Sequence, residues 1–206
     1  MVSSVLLDTA IDHFGRLGFE GASTREIAAA SGTAMSSITY HFGGKEGLYL
    51  AAADHIAAQI AERQAAPLAA VQSAARITRE QAVEATLALL ESMARMMLAE
   101  ETENWSRFII REQQFPTAAF HRIFDGAMAP ISGAFVSLVR DIRIDLDERE
   151  ARATAILMFG QAMILRAGRA AVSRVLQVDE IDRATGELLI ARLRANARCI
   201  LMGDPA

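Results

Sequence analysis

The chain has 206 residues, room for one sizeable domain or two small ones. It is 52% hydrophobic with four prolines and 6% aromatics, which excludes a disordered chain and argues for helices packed through Ala, Leu, Ile and Met. A formal charge of −4 and a single cysteine, Cys199, exclude a broadly basic protein and an intramolecular disulfide framework, and fit a reducing cytoplasm.

A first helix is predicted over Ser4 to Leu17, with Leu7, Ala10, Ile11 and Phe14 at helical spacing and Gly18 as its stop. Phe19 joins that small core. Ser23 followed three residues later by Glu26 predicts a capping box that opens a second, short helix with Ile27, Ala28 and Ala30 on its apolar face. Gly32 ends it by supplying a left-handed turn, and Thr33 caps a third helix over about Ala34 to His41. Two short helices about a glycine turn, the second poor in charge and lined with hydroxyls, have the layout of a helix-turn-helix DNA reader.

Phe42-Gly43-Gly44 forms the next turn, and a fourth helix runs from Lys45-Glu46 to about Gln64, with Pro67 the first expected break. Thr78 with Gln81 opens a fifth helix to about Ala99, with Leu87, Leu90, Ala94 and Met97 or Leu98 facing inward. Glu100, Glu101 and Glu103 mark a turn into a sixth helix that ends near Gln114, before Pro116. Residues 117–142 read as a seventh, kinked at Pro130. Asp147 with Glu150 opens an eighth to about Val172, and Asp179 a ninth to Met202, with Gly203 and Pro205 as its stop.

No strand-period segment or internal repeat stands out. The expected fold is all-α with about nine helices: an N-terminal three-helix helix-turn-helix domain, residues 1–50, then a larger helical ligand-binding and dimerisation domain, residues 51–206. No secretory signal is expected, because the start lacks a basic region and a continuous apolar core. The apolar run 151–172 contains Arg152, Gln161, Arg166 and Arg169, costly at a bilayer centre, and so reads as a buried or interface helix.

Ala10, Phe14, Gly18-Phe19, the Thr24 to Ala30 helix, Tyr40-His41-Phe42, Lys45-Glu46 and Leu48 keep a spacing that resembles the DNA-binding domain of the TetR family of transcriptional regulators. The stretch from Ser36 to Tyr49 resembles most the branch whose sensor half is called CerR-like, and residues 111–131 resemble that sensor half. The resemblance implies a cytoplasmic homodimeric repressor, released from a palindromic operator by a small ligand. It also implies phosphate contacts for Lys45 and for the pair Tyr40 and His41. Two positions depart from the family pattern: Ala34 replaces the usual capping serine, and Thr39 stands where tyrosine is commoner.

The candidate DNA contacts are Thr24 and Arg25 at the start of the second helix, Thr33, Met35, Ser36, Ser37, Thr39, Tyr40 and His41 around the third, and Lys45. Hydroxyls exchange hydrogen bonds with base edges and phosphates, and a thioether or methyl contacts the thymine methyl. Arg25 is the only arginine of the motif and the first choice for a phosphate or base contact. Against this stands charge, since residues 1–50 hold three basic side chains (Arg16, Arg25, Lys45) and five acidic ones (Asp8, Asp12, Glu20, Glu26, Glu46). Non-specific affinity and its salt dependence should be correspondingly weak.

One reader is too small to be specific alone, and a two-fold dimer places two of them about 34 Å apart. The last two helices are the expected dimer elements, through Leu157, Gly160, Ile164, Gly168 and Ala171 on one and Leu188, Leu189, Arg192, Ala195 and Cys199 on the other. The largely apolar ligand is expected against Met93, Met97, Trp105, Phe108, Phe115, Phe124, Met128, Phe159 and Met163, with Arg111, Glu112 and Gln161 as polar anchors. Ile109 belongs to the same apolar set.

The competing reading is a metal-binding helical enzyme or metal sensor using His121 and Asp125, four apart on one helix face. No Gly-rich phosphate loop, nucleophile elbow or paired-cysteine motif accompanies them. No cofactor, catalytic residue or resident metal is therefore assigned. A third reading keeps the helical dimer but lets the reader decay.

Overall fold

The computed structural model describes residues 4–72 and 78–203, and every regular element among them is helical. In chain order these are α1 (Ser4–Gly21), α2 (Thr24–Ala30), α3 (Met35–Phe42), α4 (Lys45–Gln72) and α5 (Arg79–Leu98). A 3-10 turn (Glu100–Thr102) leads into α6 (Glu103–Gln114) and α7 (Ala118–Ile123), and a π turn (Phe124–Met128) joins α7 to α8 (Ala129–Ile142). Then come α9 (Glu148–Ala167), α10 (Arg169–Leu176) and α11 (Arg183–Met202). The seventh and eighth expected helices are each divided in two, and the rest keep the expected order.

The chain forms two compact units, Met1–Glu62 with Glu101–Ala129 and Arg63–Glu100 with Pro130–Ala206. They cut the chain differently from a boundary near residue 50, because α6 packs along α1. At Gly15 the two backbones come so close that an added Cβ would lie 3.2 Å from the Asn104 carbonyl oxygen. The core of this unit holds Leu6, Ala10, Ile11, Phe14, Ile27, Ile38, Leu48, Tyr49 and Phe108. Leu6 takes the buried place expected of Leu7, a shift of one residue that the helical repeat tolerates. Gly18 bends α1 rather than ending it: at φ 76 and ψ 174 it leaves the helical region, yet the Ala22 amide still donates to its carbonyl.

In the second unit α9 and α11 both pack on α5. α5 buries Leu87, Leu89, Leu90, Met93 and Ala94, while α9 buries Ala151, Ala155, Met158, Ala162 and Leu165 at helical spacing. Arg95 pairs with Glu91 and Glu187, Arg194 with Glu84 and Glu91, and Arg198 with Glu84, a charged ladder joining α5 to α11.

The two expected capping boxes at α5 (Thr78 with Gln81) and α9 (Asp147 with Glu150) are formed. The one at α2 is not. Ser23 occupies the cap position and its carbonyl accepts from Ile27, but its side chain makes no capping bond. Thr33 is not a cap either; its amide closes the turn onto Ala28, and Ala34 holds the cap position without a side chain able to accept.

Pro67 does not break α4, which continues to Gln72. A proline costs a helix one donor and a local clash, and this one lies close to the end, where few further bonds are at stake. Pro130 does disturb its helix, through the π turn just before it, since a wider turn relieves the ring against the carbonyl four residues earlier. The expected eighth helix ends at Ala167, because Gly168 is non-helical (φ −109, ψ 21), and α10 leaves at 84° to α9. The last helix starts at Asp182, whose carboxylate accepts from Thr185, and not at Asp179. Pro205 lies outside the described residues.

By length and composition alone, Ala118–Ile142 could cross a membrane, and 33% of its most apolar window is buried. In α9, Arg152 pairs with Glu148, while the buried Arg166 donates to the Ala99 carbonyl.

Candidate nucleic-acid interface

α2 and α3 are held by few side chains. Ile27 and Ala28 anchor the first, and Ile38, fully buried, anchors the second. Gly32 (φ 66) makes the turn between them, with Thr33 donating to Ala28 and Gly32 to Ala29. At the other end Gly43 (φ 73) caps α3 by donating to Thr39, and Gly44 (φ 125) continues into α4. A side chain would be strained at any of these three glycines, so the turns themselves aim α3.

Apart from Ile38 the helix turns its side chains to solvent. Met35, Ser36, Thr39, Tyr40 and His41 are exposed, Tyr40 at 85%, and Ser37 and Thr33 are half-buried. The Thr39 hydroxyl donates weakly to the Met35 carbonyl (3.4 Å), leaving its lone pairs outward. Tyr40 stands edge-on to His41, with ring centroids 5.0 Å apart. Without a side-chain cap at Ala34, the first turn of α3 keeps a face able to meet an anion.

Among the cations, Arg16 is paired with Asp12 at 3.1 Å on α1. Arg25 is exposed, with Thr24 half-buried beside it. Lys45 Nζ donates to the Glu20 carbonyl at 3.1 Å and lies 4.8 Å from the Phe19 ring centroid. It thus ties the start of α4 to the end of α1, and its ammonium keeps further donors. Sequence reasoning missed this second task of Lys45.

It also missed Tyr49. This ring packs edge-on to Phe14 and Phe19 and stacks on Phe108, 4.6 Å between centroids. Its hydroxyl donates to Glu112 Oε1 at 2.6 Å. The other carboxylate oxygen accepts from the Thr117 amide and hydroxyl and from the Phe120 amide, at 3.1, 2.8 and 3.0 Å. Burial, and then the Glu112 carboxylate, push the Tyr49 phenol far above its ordinary range, which keeps it a donor. The bond spans 63 positions in sequence, so no local pattern announces it.

The residues expected to hold a ligand fall in both units. In the first, Trp105, Phe108 and Ile109 are buried, Phe115 and Phe124 exposed, and Met128 half-buried. Arg111 is exposed; a Cβ built on Gly18 would come within 2.7 Å of its guanidinium. Glu112, expected as a polar anchor, is committed to the protein bonds just described. In the second unit Met93 and Met97 are buried on α5, and Phe159, Gln161 and Met163 are half-buried on α9. His121 and Asp125 are both exposed, and among the described residues no group of three or more His, Cys, Asp or Glu side chains gathers to hold a metal.

Residues 6–52 match the family model of bacterial regulatory proteins, tetR family. Residues 82–203 match the C-terminal domain of the HTH-type transcriptional dual regulator CecR, the branch that residues 36–49 and 111–131 resemble. The CecR of Shigella flexneri is 31% identical over 205 residues, 96% of this chain and 90% of that one. Among solved structures, a transcriptional regulator from Rhodococcus sp. Rha1 covers 100% of this chain and 99% of its own at 20% identity, with TM-score 0.64. The regulator FadR from Bacillus subtilis, in complex with stearoyl-CoA, covers 97% and 98% at 14% identity, with TM-score 0.61.

Proposed function

The chain belongs to the tetR family of bacterial regulatory proteins, in its CecR-like branch, and from that membership we propose that it is a cytoplasmic homodimeric repressor, released from a palindromic operator by a small, largely apolar ligand. It is a DNA-binding transcription regulator and not an enzyme. The observation that carries the finer reading is the exposed face of α3, where every side chain from Met35 to His41 except Ile38 remains at least partly open to a partner.

Ser36, Ser37, Thr39 and Met35 would read base edges in the major groove, while Tyr40, His41, Thr24, Arg25, Thr33 and Lys45 would hold the phosphates. Residues 1–50 thus supply the DNA contacts and residues 51–206 sense and dimerise. Support for the dimer comes from α9 and α11. Leu157 (72% exposed), Gly160 and Ile164 line the outer face of α9, and Leu188, Arg192, Ala195 and Cys199 that of α11. Isolated exposed leucines are ordinary, but apolar side chains recurring on the outward faces of two neighbouring helices suit a second copy of the chain. Ala171 lies beyond the bend at Gly168 on α10 and is outside that face.

Support for an apolar ligand comes from Met93, Met97, Phe159 and Met163 on the packed pair α5 and α9. A ligand that prefers one conformation of the dimer shifts the equilibrium by its differential affinity. Selection of bound duplexes from a random pool, repeated with and without lipophilic candidates, tests the whole reading. A two-fold symmetric consensus, lost when an effector is added, is the expected outcome; a pool with no consensus would count against it.

A further inference from the structure

We infer that the Gln64 carboxamide is the polar anchor of the effector site, and that it selects lipophilic molecules which present a hydrogen-bond donor. The inference rests on the ligand-sensing reading above and names the chemistry of that ligand. Gln64 lies on α4 within the second compact unit, and only 1% of it is exposed. Its Nε2 reaches no better acceptor than the Met96 thioether, at 3.9 Å, and its Oε1 has no hydrogen-bond partner.

A buried amide oxygen without a donor is costly, and an apolar side chain of the same size would avoid the cost. The amide orientation is the favourable one, because a thioether accepts weakly and would repel a carbonyl oxygen. Exchanging O and N would therefore not satisfy the group. The polar end that faces no protein partner is an acceptor, so its complement is a hydroxyl or N–H of the ligand.

The Met96 side chain beside Gln64 is buried, as are Met93 and Met97 on the same helix as Met96, and methionine side chains adapt to varied apolar shapes. Gln64 also belongs to the uninterrupted helix that begins at Lys45. A ligand bonded to Gln64 thus acts on the helix whose first turn adjoins the reader.

Equilibrium dialysis of the full-length protein against two probes tests this. 1-Naphthol offers a donor, and 1-methoxynaphthalene has nearly the same shape without one. The native protein should bind the naphthol about tenfold more tightly. Gln64→Leu should bring the two within about twofold while retaining the methyl ether, and its thermal midpoint should hold or rise, since only the weak bond to the Met96 thioether is lost. Gln64→Met is the second variant, compatible with a methionine-lined site should leucine pack badly.

A preference that survives in both variants, or none in the native protein, would remove the anchor and leave the sensor reading intact. Failure of both probes to bind a native protein that still binds DNA would overturn both.

Discussion

α3 and the α9–α11 pair are both turned outward, yet they ask for opposite partners. α3 is fixed by one buried side chain, Ile38, and presents hydroxyls, a phenol and an imidazole. α9 and α11 each bury five or more residues and present Ile156, Leu157, Ile164 and Leu188. A polar face on a lightly anchored helix suits a hydrated, hydrogen-bonding surface such as a DNA groove. An apolar face on a deeply anchored pair suits another protein surface of the same kind. The difference teaches that exposure alone does not assign a function; the chemistry left exposed does.

The largest effect should come from breaking the apolar face. Leu157→Asp with Leu188→Asp should yield a monomer by sedimentation velocity and lower operator affinity at least about 100-fold, because two linked readers bind far better than one. A variant that stays dimeric would move the interface elsewhere. Next are two residues proposed to hold phosphates. Tyr40→Ala and Lys45→Ala should each weaken binding about tenfold on every sequence alike. For Lys45 part of that loss should appear as a lower thermal midpoint, since it also bonds Glu20 and covers Phe19.

A smaller effect distinguishes this reader from a basic one. With Arg16 engaged by Asp12, Arg25 and Lys45 leave about two phosphate neutralisers per half-site. The slope of log affinity against log salt should therefore be about −3.6 for the dimer, and about −1.8 once Arg25 is replaced by Ala in both copies. A slope of −8 would reveal cationic contacts outside the motif.

The smallest effect lies in the α5–α11 ladder, where hydrogen bonds from Arg198 to Glu84 and from Arg95 to Glu187 hold both carboxylates below their ordinary range. Depressed carboxylates lend stability that is fully present above their unfolded values and is lost as pH falls through the folded ones. Glu84→Gln with Glu187→Gln should narrow the difference in urea midpoint between pH 7 and pH 3.5, and only slightly, because these pairs are solvent-screened.

Much of this fold is legible in local sequence, and the failures have physical reasons. The Thr78/Gln81 and Asp147/Glu150 boxes form because nothing else competes for those side chains at exposed helix starts. Ser23/Glu26 has the same spacing, but α2 is only seven residues long, buries Ile27 and Ala28, and has no capping bond from the Ser23 side chain. Gly168 reads as a small residue in an apolar stripe, whereas it is where the chain turns by 84°; spacing cannot tell a packing glycine from a hinge. The reader is legible because its glycines, hydroxyls and aromatics are close in sequence. The bonds of Glu112 to Tyr49 and of Lys45 to Glu20 are not, because partners 63 and 25 positions apart meet only in the folded chain.

The measurement that bears most directly on the reader is the affinity of five single variants across a panel of operator sequences. Tyr40→Ala and Lys45→Ala should lower all affinities by a common factor. Ser36→Ala, Ser37→Ala and Thr39→Ala should instead reorder the panel, by about 1–3 kcal/mol at individual base pairs. Five uniform losses, with the ranking of operators unchanged, would contradict the assignment of α3 to base reading.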